Sequence, residues 1–206
     1  MQRRNGLFIV FDGLNGGGKT TQMNKLADYL RSVGVEVHTT KNPWSSRWGT
    51  KLREEAAAGR RLPMEAELGH FLLDRKEWVE QILSPALDFG WVVLCDRYYY
   101  STVAYQSARG YDAKTLLDVQ QAMFPVPDLA LHICVPVSLA QQRLRQRGDE
   151  LDAYDNADTD VRIKQAFDQI KSPQWKTIDG TKDEDTVHFE IWDLVKQMLN
   201  IRHPKF

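Results

Sequence analysis

Residues 13–20, GLNGGGKT, have the types and spacing of a phosphate-holding loop. All fixed positions of the G-x-x-x-x-G-K-[ST] pattern are present. Gly13, Gly16, Gly17 and Gly18 let backbone N–H groups turn inward around an anion, with Asn15 between them and Thr21 just after. The helix expected next adds the positive end of its dipole. Lys19 can reach β- and γ-phosphates, and the Thr20 hydroxyl can ligate Mg²⁺. The plain alternative, a glycine-rich turn that merely joins strand to helix, does not require Lys19 and Thr20. The pattern therefore points to a nucleoside triphosphate. Asp96 closes the apolar run WVVLCD, where a carboxylate can orient Mg²⁺ or its water, and Arg97 follows it directly. Read alone, Asp96 would be an ordinary helix cap.

Three further segments offer cations and flat apolar surface for a second substrate. Phe71 and Arg75 stand four residues apart in one helical stretch, so they project from the same face. An aromatic ring beside a guanidinium suits a planar base with carbonyl oxygens. The plain alternative is a core Phe71 and an Arg75 paired with a carboxylate. DRYYYSTVAYQ gathers Arg97, Ser101, Tyr105 and Gln106 just past a strand end, with the tyrosine run read as packing. KNPWSSRW places Lys41 and Arg47 in another loop; these, and Arg53, also read as solvated surface charges. Arg143 and Arg147 share one helical face while Arg145 points elsewhere.

Elements that alternate along the chain must position these groups. Short apolar runs at 7–12, 35–40, 91–96, 129–135 and 175–179 read as buried parallel strands. Helical spacing is expected near 20–33, 48–58, 64–88, 99–108, 112–123, 138–147, 159–171 and 184–199. Strands alternating with helices predict an α/β fold, a parallel sheet with helices on both faces. Residues 1–206 read as one domain, with the polar stretch 148–157 as a short lid. Lys and Arg total 27 against 28 Asp and Glu. That balance argues against broad electrostatic attraction to nucleic acid or an anionic membrane. Two cysteines without metal-ligand spacing, and no apolar leader or span, predict a cytoplasmic protein.

FDGLNGGGKTTQ, FLLDR, DRYYYSTVAYQ, PDLALHICV and RLRQRGDELDAYD together resemble the thymidylate kinases over nearly the whole chain. The resemblance implies a P-loop kinase fold with a five-stranded sheet, usually a homodimer, transferring phosphate from ATP, with Mg²⁺, to dTMP. It implies that Phe71 stacks on thymine, Arg75 donates to a base carbonyl, Arg97 grips the acceptor phosphate, Tyr105 borders the sugar and Gln106 approaches the base. Arg143 would flank the adenine, and Arg147 would reach the transferring phosphoryl group. Asn15 stands where the family generally has an acidic residue. KNPWSS replaces a REPGG loop, so Lys41 offers a point charge in place of a guanidinium fork. DAYD replaces DRFE, so Ala153 stands where a lid arginine is common. These departures leave two alternatives: a kinase for dUMP or a modified pyrimidine nucleotide, or a nucleotide-binding paralogue without turnover.

Overall fold

The computed structural model describes residues 6–148, 154 and 157–202. Strand β1 (Leu7–Asp12) is buried along its whole length and leads through the glycine loop into helix α1 (Lys19–Ser32). Strand β2 (Val37–Lys41) begins two residues later than the apolar run suggests. The end of α1 uses the intervening residues as a cap. Gly34, at φ 83°, donates its N–H to Arg31 O, and Val35 N–H returns to Leu30 O. This pairing satisfies the last carbonyls of the helix and delays the strand.

Helices α2 (Arg47–Ala57) and α3 (Met64–Trp78) follow. The helix expected over 64–88 is not continuous: a π-helical turn, Val79–Leu83, separates α3 from α4 (Ser84–Asp88). Pro85 supplies the reason, because its ring crowds the carbonyl four residues back and it has no N–H to donate. Strand β3 (Val92–Asp96) precedes α5 (Tyr99–Ser107) and α6 (Ala113–Met123). Then come β4 (Leu129–Cys134), α7 (Val137–Arg147), α8 (Ala157–Gln169), β5 (Trp175–Asp179) and α9 (Glu184–Arg202). The expected lid lies mostly outside the described residues; Gly148, Tyr154 and Ala157 are the exceptions.

The five strands form one parallel sheet in the order β2-β3-β1-β4-β5. Alternate residues of each strand face opposite sides. Leu7, Ile9 and Phe11 pack with Leu26 and Leu30 of α1 and Ile191 and Val195 of α9. Phe8 and Val10 pack toward the other face with Trp78, Val103 and Phe167. Tyr98, Tyr99 and Tyr100 are all buried there, as the packing reading of the tyrosine run expects. With β1 central and every strand parallel, the loops after β1, β2 and β3 emerge along one edge of the sheet. Ligands bind at this edge in open α/β folds.

Candidate active site

The glycine loop is shaped by close backbone approaches. Gly16 has φ 74°, and a Cβ there would stand 2.2 Å from Ala140 O. A side chain would push the loop off α7. Lys19 is buried and donates to Leu14 O at 2.8 Å. Burial, with Arg97 nearby, lowers its amine to about pH 7. Thr20 donates to Asp96 across a 2.5 Å contact, joining the start of α1 to the end of β3. Asp12, fully buried, accepts from Ser101; burial lifts its carboxyl to about pH 7 against the opposing pull of Ser101 and Arg97.

Arg97 links these groups to the second substrate's side. It donates to Gly13 O at 3.0 Å, Ser101 Oγ at 2.9 Å and Asn15 Oδ1 at 2.5 Å. Its backbone sits at φ 68°, the left-handed region that a branched or bulky residue rarely adopts. Such strain persists where surrounding contacts over-determine it, often at functional sites.

A cavity of about 380 Å³ opens beside Arg97, walled by Phe71, Arg75, Ser101, Tyr105 and Asn15. Arg75 is almost wholly buried. It donates to Gln120 Oε1 and Thr102 Oγ1, each at 2.7 Å, while its Nε has no hydrogen-bond partner among the described residues. The plain alternative, a carboxylate partner, is not what holds it. Its hydrogen bonds go to neutral oxygens, and Asp74 and Asp12 offset its charge only through space, so burial still works against the charged form and a ligand oxygen would use it. Gln106 lies away from the cavity. Fully buried, it donates to Glu67 Oε1 at 2.7 Å and does not line the cavity. Its position just past Tyr105 turns it toward the buried Glu67, which also pairs with Arg61 and Arg109.

Sequence reasoning also missed several residues. Thr102 and Gln120, which hold Arg75, carry no motif signal. Arg53 is not a solvated charge: it donates to Pro43 O at 2.9 Å and Trp44 O at 2.7 Å, and it lines the cavity. Arg47 is exposed and stacks over Trp48. Asp74 fixes the loop after β2 by accepting from Trp44 N–H and Ser46 Oγ. Tyr154 from the expected lid lines the same cavity and meets Tyr105 edge-on.

On the far side of the loop, a cavity of about 310 Å³ is bordered by Gly16, Gly17, Gly18, Thr21, Arg143 and Arg147. Gly180 and Lys182, after β5, close it; Arg143 reaches Gly180 O at 3.1 Å. Between the two cavities lies a third, about 240 Å³, lined by Lys19, Thr20, Lys41, Asp96, Arg97 and Arg147. Cavities of about 380 and 310 Å³ on either side of a channel lined by Lys19, Lys41, Arg97 and Arg147 suit transfer between two nucleotides. Residues 11–191 match the thymidylate kinase family model. The chain is 36% identical over 202 residues to the thymidylate kinase of Desulfotalea psychrophila, covering 98% of this chain and 100% of that one. Against the Akkermansia muciniphila thymidylate kinase it is 37% identical, covering 98% and 95%. Against that of Xylella fastidiosa it is 36% identical, covering 96% and 90%. This chain belongs to the thymidylate kinase family. Thymidylate kinases use ATP with Mg²⁺, and the oxygen donors here suit that hard cation. Asp96 Oδ1 and Asp12 Oδ2 are buried without a hydrogen-bond partner among the described residues, and the other Asp96 oxygen accepts from the Thr20 hydroxyl.

Proposed function

We propose that this protein transfers the terminal phosphoryl group of ATP, in the presence of Mg²⁺, to the 5′-phosphate of dTMP, forming dTDP and ADP. The observation that carries the reading is Arg75, a buried guanidinium without a carboxylate hydrogen-bond partner among the described residues, set beside Phe71 in the cavity that opens toward the glycine loop. In this reading Phe71 stacks on the thymine and Arg75 donates to a base carbonyl. Tyr105 borders the sugar, while Arg97, Arg53 and Asn15 orient the acceptor phosphate. Lys41 adds charge at the phosphate channel. Gly13, Gly16, Gly17 and Gly18 hold the triphosphate with Thr21, and Arg143 flanks the adenine. Thr20 and Asp96 would hold Mg²⁺, which neutralises phosphate charge. Lys19 and Arg147 stabilise the charge spread over the transferring group. Such a loose transition state needs positioning and positive potential rather than a covalent nucleophile.

Residues 1–206 act as one kinase domain in this reading. It works as a homodimer, supported by the exposed apolar side chains Leu73 on α3 and Val119 and Met123 on α6. No described helix is long and apolar enough to cross a membrane. The free thiols Cys95 and Cys134 suit the reducing cytoplasm proposed for it.

A screen of monophosphate acceptors with MgATP, following ADP release, tests the assignment. ADP formation with dTMP is expected well above that with dCMP, dGMP or dAMP. A cytosine would leave its amino group facing a cation, and unpaired buried groups are penalised. Equal rates with dCMP would sink the specificity. In the same assay Arg75→Ala should lose at least about tenfold in kcat/KM for dTMP, the worth of one charge-assisted hydrogen bond. ATP affinity should be unchanged. An equal loss of ATP binding would make Arg75 a structural residue instead.

Lys19 gives a pH prediction. In the nucleotide-free protein, burial holds its amine near pH 7. A bound triphosphate favours the ammonium and raises that value, so the complex holds more protons than the free protein. Binding must then take up protons, and ATP affinity must fall as pH rises above about 7. Titration calorimetry of ATP at pH 8 in two buffers of different ionisation enthalpy should show this uptake. Identical heats would mean that Lys19 is already charged.

A further inference from the structure

A cluster between β4 and α8 lies outside the proposed catalytic groups. His132 and Cys134 are two residues apart on β4, so their side chains share one face of the sheet. Asp168 of α8 lies over that face. One ligand atom from each of the three falls within 4.8 Å of the others, and this is the single such cluster among the described residues. His132 is 2% exposed, and its Nδ1 has no hydrogen-bond partner among the described residues. The ring packs against both Phe167 and Trp175, each centroid 5.1 Å away, and those two rings also meet each other at 6.0 Å. A buried imidazole nitrogen held rigidly and left unpaired is unusual, because such groups normally find a partner.

The cation now beside these groups is Lys164. Its ammonium donates to Asp168 Oδ2 at 2.7 Å and lies near the Cys134 thiol. Lys164 and Asp168 are one helical turn apart, and both side chains retain some exposure. That leaves an entry path from solvent and a flexible stem that can swing away. We propose that His132, Cys134 and Asp168 form a binding site for a borderline divalent transition-metal ion such as Zn²⁺, which displaces the Lys164 ammonium. An imidazole, a thiolate and a carboxylate are the mixed donors that Zn²⁺ prefers, whereas Mg²⁺ takes oxygens. Ligands about 2.0–2.3 Å from one ion lie roughly 3.3–3.8 Å apart, so the cluster must contract by about 1 Å. On binding, the Cys134 thiol loses its proton to solvent as the metal–sulfur bond forms. The ion would tie β4 to α8.

The test is a titration of chelator-treated full-length protein with Co²⁺ and then Zn²⁺. Wild type is expected to take up one Co²⁺ per chain with thiolate-to-metal absorption, and Zn²⁺ should remove that band and raise Tm. Cys95, the other cysteine, is buried on β3 and donates to Arg97 O, so the band reports Cys134. Cys134→Ala should abolish the band and weaken Zn²⁺ binding at least about tenfold. Lys164→Met should strengthen it by a similar factor, since neighbours of a metal's ligands commonly change affinity about 10–100-fold. Both variants should keep a cooperative metal-free unfolding transition. Absence of stoichiometric uptake by wild type and Lys164→Met, or uptake undiminished in Cys134→Ala, would overturn the proposal. The cluster would then be a packing ion pair.

Discussion

Arg147→Ala is expected to reduce kcat by about 10³–10⁵-fold while leaving dTMP binding close to normal, the size of effect an arginine has when it stabilises a phosphoryl-transfer transition state. Three arginines crowd the end of α7, and their surroundings separate them. Arg143 donates to Gly180 O and lies 3.5 Å from Gly17 O, so it braces the donor cavity from the side. Arg145 is exposed and borders none of the three cavities. Arg147 is the last residue of α7, where Gly148 at φ 70° ends the helix. It lines both the donor cavity and the phosphate channel. Its charge also lies close enough to help lower the Lys19 amine. A basic helix end would favour any arginine there through the helix dipole alone. That reading predicts equal, small effects at all three positions. Steady-state kinetics with MgATP and dTMP distinguishes the two: Arg145→Ala should be mild, whereas near-normal turnover in Arg147→Ala would remove it from the reaction.

The sequence was informative where local chemistry dictates shape and less so where distant partners decide. The glycine loop was legible because its phosphate-holding geometry comes from contiguous residues. The runs at 7–12 and 175–179 match β1 and β5 to the residue. Residues 35 and 36 look like strand, but the cap at Gly34 claims Val35 first. Phe71 and Arg75 share one helix face by spacing alone, and both line the cavity of about 380 Å³. What holds Arg75 was not legible: Thr102 and Gln120 arrive from α5 and α6, and no local pattern marks them. The partner of Gln106 was hidden for the same reason. Gln106 follows Tyr105 on α5, but the next position on a helix points about a quarter-turn away, here toward Glu67. Arg47 and Arg53 look alike in sequence, yet one is solvated and the other is tethered to Pro43 and Trp44.

Arg97→Gln is expected to lower kcat/KM for dTMP by about 30-fold to several-thousand-fold, corresponding to the roughly 2–5 kcal/mol that truncation of a buried charged partner typically costs. Glutamine keeps polarity and some length but cannot carry the charge or the guanidinium fork. Arg97 is suited to gripping a phosphate because its surroundings fix it before any ligand arrives. Its guanidinium bonds Gly13 O, Ser101 Oγ and Asn15 Oδ1, and it stands 5.4 Å from the centre of the Tyr105 ring. Its left-handed backbone, at φ 68°, costs roughly 1–3 kcal/mol in a non-glycine residue. A residue needed only to pack would not require that conformation. Asn15 matters here because it is neutral: it orients the guanidinium without cancelling its charge, as a carboxylate at that position would. Arg97→Lys should fall between wild type and Arg97→Gln, retaining the charge but losing the fork. Calorimetric ATP affinity should stay within a few-fold of wild type in both variants, since Lys19 and the loop N–H groups carry the donor phosphates. A loss of ATP binding as large as the loss with dTMP would show instead that Arg97 is a strut of the glycine loop.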